Sequence, residues 1–125
     1  MWQELLQAHS SVQGPWIVLG DFNSVFAADE KIGGRSVVPS SINYIADNLL
    51  QLSISDLKWR RGSEYTWTNS SVGARRIMCK LDRVLVNGAW LDEFVNSEVH
   101  FLPPTVSDHS LGVVRVVPRP MGNGP

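Results

Sequence analysis

Three short polar clusters carry the chemistry this sequence could perform. Gly20-Asp21-Phe22-Asn23 follows directly on the apolar run Trp16-Ile17-Val18-Leu19. Asp82 stands in Lys80-Leu81-Asp82-Arg83, and Asp108 and His109 are adjacent in Ser107-Asp108-His109-Ser110. Carboxylates, a carboxamide and an imidazole, set at or along strand-like runs, are the parts of a metal-assisted phosphodiester hydrolase. That reaction needs an activated water, stabilisation of the charge growing on phosphoryl oxygens, and help for the leaving oxygen. Asp21, at the end of a strand, can orient or deprotonate the water. Asn23, projecting from the same side, can donate a hydrogen bond to a phosphoryl oxygen, and Gly20 lets the backbone turn sharply between strand and loop. An imidazolium at His109 can hold a phosphate oxygen if a buried carboxylate keeps it charged and aimed, and Asp82 is the candidate for that carboxylate. Asp108, pointing away from its neighbour on an extended backbone, is free to contact a metal or its waters.

Each cluster also has an inert reading. Gly20 to Asn23 could be a turn closed by the Asp and Asn side chains. Asp82 beside Arg83 could be an ordinary cross-strand ion pair, and Asp108-His109 after Pro103-Pro104 a capped turn. His9 and His100 read as structural or solvated, Cys79 as core, and Asp29-Glu30-Lys31 as a solvated loop. Arg75-Arg76 and Lys58-Trp59-Arg60-Arg61 are either solvated charge or phosphate-facing cations, with Trp59 placed to stack on a base.

The elements that must position these groups follow from periodicity. Trp2, Leu5, Leu6 and His9 recur at helical spacing, and Gly14-Pro15 ends that helix. Residues 16–19 are apolar without alternation, which predicts a strand covered on both faces. Residues 20–39 read as loop. Ser40 or Ser41 is placed to cap a second helix, with Ile42, Ile45, Ala46, Leu49 and Leu50 on its apolar side. A turn-rich connection over 56–62 leads to a strand at Tyr65-Thr66-Trp67-Thr68, a turn over 69–73, and one returning strand over 76–86. In that strand Ile77, Cys79, Leu81 and Leu85 share one face, and Lys80, Asp82, Val84 and Val86 share the other, so Asp82 falls beside Lys80 and opposite the apolar row. A short helix over 87–94, a strand over 95–102 and a last strand over 111–117 complete the pattern, and residues 118–125 read as a disordered tail. The result is an α/β layered fold with too few elements for more than part of a two-sheet sandwich, so one sheet face or edge lacks its partner.

Composition narrows the function classes. The chain has 125 residues, 43% of them hydrophobic, enough for one domain with a real core. A net charge of −1 gives no global attraction to nucleic acid, so any such contact needs a local patch. The single cysteine excludes an internal disulfide and fits a reducing compartment. No apolar run is long enough for a membrane-spanning helix, and Met1 does not open a secretion signal. The expectation is an intracellular protein, nuclear or cytoplasmic, that is not secreted and has no membrane partner. The five tryptophans read chiefly as core.

Order and setting together resemble the endonuclease/exonuclease/phosphatase superfamily, and within it the endonuclease domain of plant LINE-type (non-LTR) retrotransposons. The resemblance rests on residues 15–23, on Glu30-Lys31-Ile32-Gly33-Gly34, on residues 65–69, on Arg75-Arg76, on residues 80–87, on Trp90-Leu91 and on residues 107–110. It makes residues 1–117 the C-terminal portion of such a domain, the C-terminal half of a four-layered α/β sandwich that nicks DNA with a divalent metal, usually Mg2+. It implies that Asp21 and Asn23 act on the attacking water and scissile phosphate. Asp82 would support His109, and Asp108 would lie at the metal site. Thr66, Trp67 and the following turn would lie against DNA, and Trp59, Arg60, Arg61, Arg75 and Arg76 complete the expected nucleic-acid-binding set. The family's domain is longer, and its first half supplies an Asn and a Glu that is a principal metal ligand. Leu111 also stands where a proline is common. Losing contacts worth about 3 to 4 kcal/mol each implies a truncated, inactive nuclease domain. The alternatives are a non-catalytic nucleic-acid-binding or interaction module, and a phosphatase of the same superfamily.

Overall fold

The computed structural model describes residues 1–57, 65–102 and 108–116, and the backbone of 59–62. Its helices are α1 (Trp2–His9), α2 (Pro39–Leu52) and α3 (Gly88–Glu93). Its strands are β1 (Ile17–Asp21), β2 (Lys31–Ile32), β3 (Ile54–Asp56), β4 (Trp59–Gly62), β5 (Trp67–Thr68), β6 (Met78–Cys79), β7 (Asp82–Asn87), β8 (Glu98–Phe101) and β9 (Gly112–Arg115). They form three sheets, ordered β1-β7-β3, β2-β6-β5 and β4-β8-β9. The fold is mixed α/β, and no described helix is long and apolar enough to cross a membrane.

β7 is the strand on which the rest is built. Its β-branched run sits between β1 and β3, antiparallel to both, and its residues 83–86 are all buried. Val84 and Val86 enter one core with Leu57, Val99 and Phe101, joining the first sheet to the third. Leu85 enters a second core with Phe22, Leu52 and Ile54, against which Trp2, Leu5 and Leu6 of α1 and Leu49 of α2 pack. Asn87 closes the far end. Its Oδ1 accepts from the backbone N–H of both Trp16 and Trp90, and its Nδ2 donates to the Gly14 carbonyl.

Several expectations are corrected. β1 is covered on both faces only at its start: Ile17 packs against one core and Trp16 and Val18 against the other, while Leu19 is 60% exposed. The 20–39 loop contains a 3-10 turn at Ala28–Glu30 and β2. α2 starts at Pro39, with no side-chain cap, because proline is pre-set for the first helical position. Its buried residues are Ile45, Asn48 and Leu52, while Leu50 and Ala46 face solvent. Residues 56–62 hold the end of β3 and all of β4 rather than turns alone. The run over 76–86 is two strands, β6 and β7, in different sheets. Asp82 keeps the expected face with Val84 and Val86, but both valines are buried, so each face of β7 enters a core. Pro103-Pro104 and the 118–125 tail lie outside the described residues.

The solvated reading of Asp29-Glu30-Lys31 is also overturned. The side chain of Arg83 is fully buried and pairs with Glu30 and Asp56. Nη1 donates to Glu30 Oε2 at 2.9 Å and to Asp56 Oδ2 at 3.0 Å, Nη2 donates to Glu30 Oε1, and the guanidinium lies 3.8 Å from the centroid of Phe26. Glu30 Oε1 also accepts from the N–H of Phe26 (2.7 Å) and Ala27 (3.2 Å), so one carboxylate ties the segment after Asn23 to the central strand. Asp82 does not pair with Arg83, because adjacent strand residues face opposite ways.

Burial pushes the Glu30 pKa up, but the hydrogen bond and charge of Arg83 outweigh it, and the carboxyl is held below its ordinary value of 4.5. A depressed folded-state pKa stabilises above the unfolded value and is lost as pH falls through the folded one. Arg83→Met should therefore cost about 3 kcal/mol at pH 7, because it strands a buried carboxylate. Urea denaturation should show that penalty shrinking as pH drops below 4.5. A penalty of equal size at pH 7 and pH 3 would contradict it.

Candidate active site

The β1–β7 register sets Asp21 directly opposite Asp82 at one end of the first sheet. Two carboxylates in that relation repel unless a positive group lies between them. His109 supplies it from a third segment: Nδ1 lies 2.9 Å from Asp82 Oδ2, and Nε2 lies 3.8 Å from Asp21 Oδ2. The ring is half-buried. Its pKa is raised above 6.5, first by the Asp82 hydrogen bond, with burial opposing and the charges of Asp82, Asp21 and Asp108 adding.

Each partner is fixed locally. Gly20 adopts φ +147° where nothing crowds a Cβ, so the demand for glycine is one of backbone conformation alone. Asp21 Oδ1 accepts from the N–H of Asn23 at 2.8 Å, and Asn23 sits at φ +56°. The turn-closing reading and the chemical one thus coexist: one oxygen shapes the turn and the other faces His109. Phe22 is buried, and its N–H donates to the Leu81 carbonyl at 2.9 Å, pinning the tetrapeptide to the link between β6 and β7. Asn23 is exposed.

The segment bearing His109 is held by β5. Trp67 bridges to His109, the N–H of Thr68 donates to the Asp108 carbonyl at 3.2 Å, and that of Ser110 donates to the Thr66 carbonyl at 2.7 Å. Trp67 Nε1 donates to Asp108 Oδ2 at 3.1 Å. Thr66, expected against DNA, is 1% exposed and is instead scaffold. Period-two alternation in Tyr65-Thr66-Trp67-Thr68 already separates Thr66 from Trp67 and was the available signal for their different roles. Sequence reasoning also missed Glu30 and Arg83, which lie 53 residues apart in the chain. Arg75 and Arg76 are exposed on a turn that Asn69 closes through the Arg75 carbonyl and the Ile77 N–H. The side chains of Trp59, Arg60 and Arg61, and the whole of Ser107, lie outside the described residues. His9 stacks on Trp16, His100 pairs with Glu98, and Cys79 is buried.

A cleft of about 340 Å³ opens beside the histidine, lined by Leu19, Asp82, Val84, Phe101, His109 and Leu111 among others. Donor atoms of Asp21, Asp82 and His109 all lie within 4.8 Å of one another, a spacing that can hold a metal ion. A hard cation such as Mg2+ prefers oxygen and keeps several waters, so two carboxylates are a fitting donor set. The imidazole is less so, because Asp82 favours its protonated form. Asp108 does not join that group of three.

A histidine with a raised folded-state pKa stabilises the fold below its unfolded value, and that contribution is lost as pH rises through the folded one. The imidazole resonances of His109 should titrate with a midpoint above 6.5, and Asp82→Asn should lower it. Equal midpoints in the two proteins would remove Asp82 as the cause.

Residues 1–109 match the Endonuclease/Exonuclease/phosphatase family. Comparison with curated proteins gives no match. Strand-end carboxylates meeting a histidine from a distant segment agree with that family match, which spans most of the sequence. The chain belongs to the endonuclease/exonuclease/phosphatase family.

Proposed function

We propose that the chain is a portion of a metal-dependent phosphodiester hydrolase of the LINE-type retrotransposon kind, with DNA as substrate and Mg2+ as metal. The observation that carries this reading is His109 flanked by Asp82 at 2.9 Å and Asp21 at 3.8 Å. In this reading Asp82 fixes the ring through Nδ1 and keeps it protonated, so that Nε2 donates to a phosphoryl or leaving oxygen. Asp21 aims the attacking water, and Asn23 donates to the phosphoryl group from the adjoining turn. The carboxylates of Asp21 and Asp82 would hold the cation, with Asp108 contacting it or its waters. When bound, the cation would neutralise charge growing on the phosphoryl oxygens.

DNA is favoured over a small phosphate ester by the exposed Arg75 and Arg76 beside the Trp67 strand, which suit a polyanion. The 125-residue chain alone is expected to be inactive. Among the described residues the only metal-holding group is Asp21, Asp82 and His109, and each transition-state contact not supplied costs about 3 kcal/mol. The same exposed arginines favour a second reading, a binding module without turnover.

Supercoiled plasmid incubated with the chain and Mg2+ should stay intact. Duplex DNA should bind at low salt, and replacing Arg75 and Arg76 by alanine should flatten the log–log salt dependence by about 2. Nicking abolished by Asp21→Ala or His109→Ala would overturn the inactivity while keeping the hydrolase. Absence of both nicking and salt-dependent binding would remove DNA as the substrate. Mg2+ separates the two readings: a hydrolase site predicts perturbed resonances at Asp21 and Asp82, whereas a bare binding module predicts none.

A further inference from the structure

We infer that Thr66 is a positioning residue, one that fixes Asp82 and His109 relative to each other by holding both of their segments at once. Its hydroxyl oxygen accepts from the backbone N–H of Leu81 at 2.9 Å and of Asp82 at 3.0 Å. Its carbonyl accepts from the N–H of Ser110, the residue after His109, at 2.7 Å. Its own N–H donates to the Cys79 carbonyl at 2.9 Å, so the residue is tied to β6 as well.

The chain needs such a clamp at this place. Between Cys79 and Asp82 it leaves the second sheet for the first, and the sheet ladder breaks. Amides at a break, here partly buried, need acceptors. One side-chain oxygen meets two of them, and it belongs to the strand that also pairs with the histidine segment. A valine in the same space would fill the volume and accept neither bond. A serine would accept both. These bonds of Thr66 all run to backbone groups, so its effect passes through the backbone that carries the carboxylate and the imidazole.

The inference deepens the hydrolase reading, but its test reads the Asp82–His109 contact itself, so either can fail without the other. In the full chain, the imidazole Nδ1–H of His109, assigned by its loss in His109→Gln, should give a protected downfield proton resonance. Thr66→Val should speed its exchange with solvent about tenfold, the loss expected when a hydrogen bond loosens. Thr66→Ser should leave it unchanged. A purely space-filling role predicts the reverse order, with serine the more damaging and valine harmless. Equal exchange in wild type and Thr66→Val overturns the inference. If the valine chain does not fold, Thr66→Ser decides: exchange sped as much as in Thr66→Ala overturns the inference, and protection kept only in serine supports it.

Discussion

Two carboxylates held face to face across an antiparallel pair are the constraint around which this molecule is arranged. Backbone pairing of β1 with β7 sets Asp21 against Asp82, and a one-residue shift would exchange the side chains of two cores and carry Arg83 off Glu30 and Asp56. The repulsion is relieved by an imidazole delivered from a remote part of the chain. Placing that ring requires β5, which is why a two-residue strand with little core of its own matters to the site.

The opposite face of the same strand solves a second charge problem. Arg83 is buried among Glu30, Asp56 and Phe26, and its pairing stitches the loop beyond Asn23 to the sheet. One side of β7 therefore presents a carboxylate to a cleft, while the other buries a cation against carboxylates. The first arrangement is partly open to solvent and chemically available, and the second is closed and structural.

Much of the scaffold was legible in the residues. Helical spacing gave α1, which however stops at His9 and not at Gly14-Pro15, Asn87 to Phe94 read as the short helix α3, and strand-end placement singled out Asp21, Asp82 and His109 before their meeting could be seen. What stayed hidden depends on partners far away in the chain. Glu30 looks like any charged loop residue until Arg83 arrives from 53 positions on. The run over 76–86 carries a continuous strand pattern, and only the competing demands of two sheets break it at Lys80-Leu81. Thr66 looked like a contact residue because its neighbour Trp67 is conspicuous, whereas the period of two turns it inward. Leu50, at a helical apolar position, faces out because α2 presents Ile45, Asn48 and Leu52 instead.

The central claim is that Asp82 and His109 form one coupled unit. A double-mutant cycle with Asp82→Asn and His109→Gln, read as unfolding free energy, tests it most directly. The account predicts a coupling of about 1 to 2 kcal/mol at pH 6, falling at pH 9 as the imidazolium is lost. Additivity within about 0.3 kcal/mol at both pH values would contradict it.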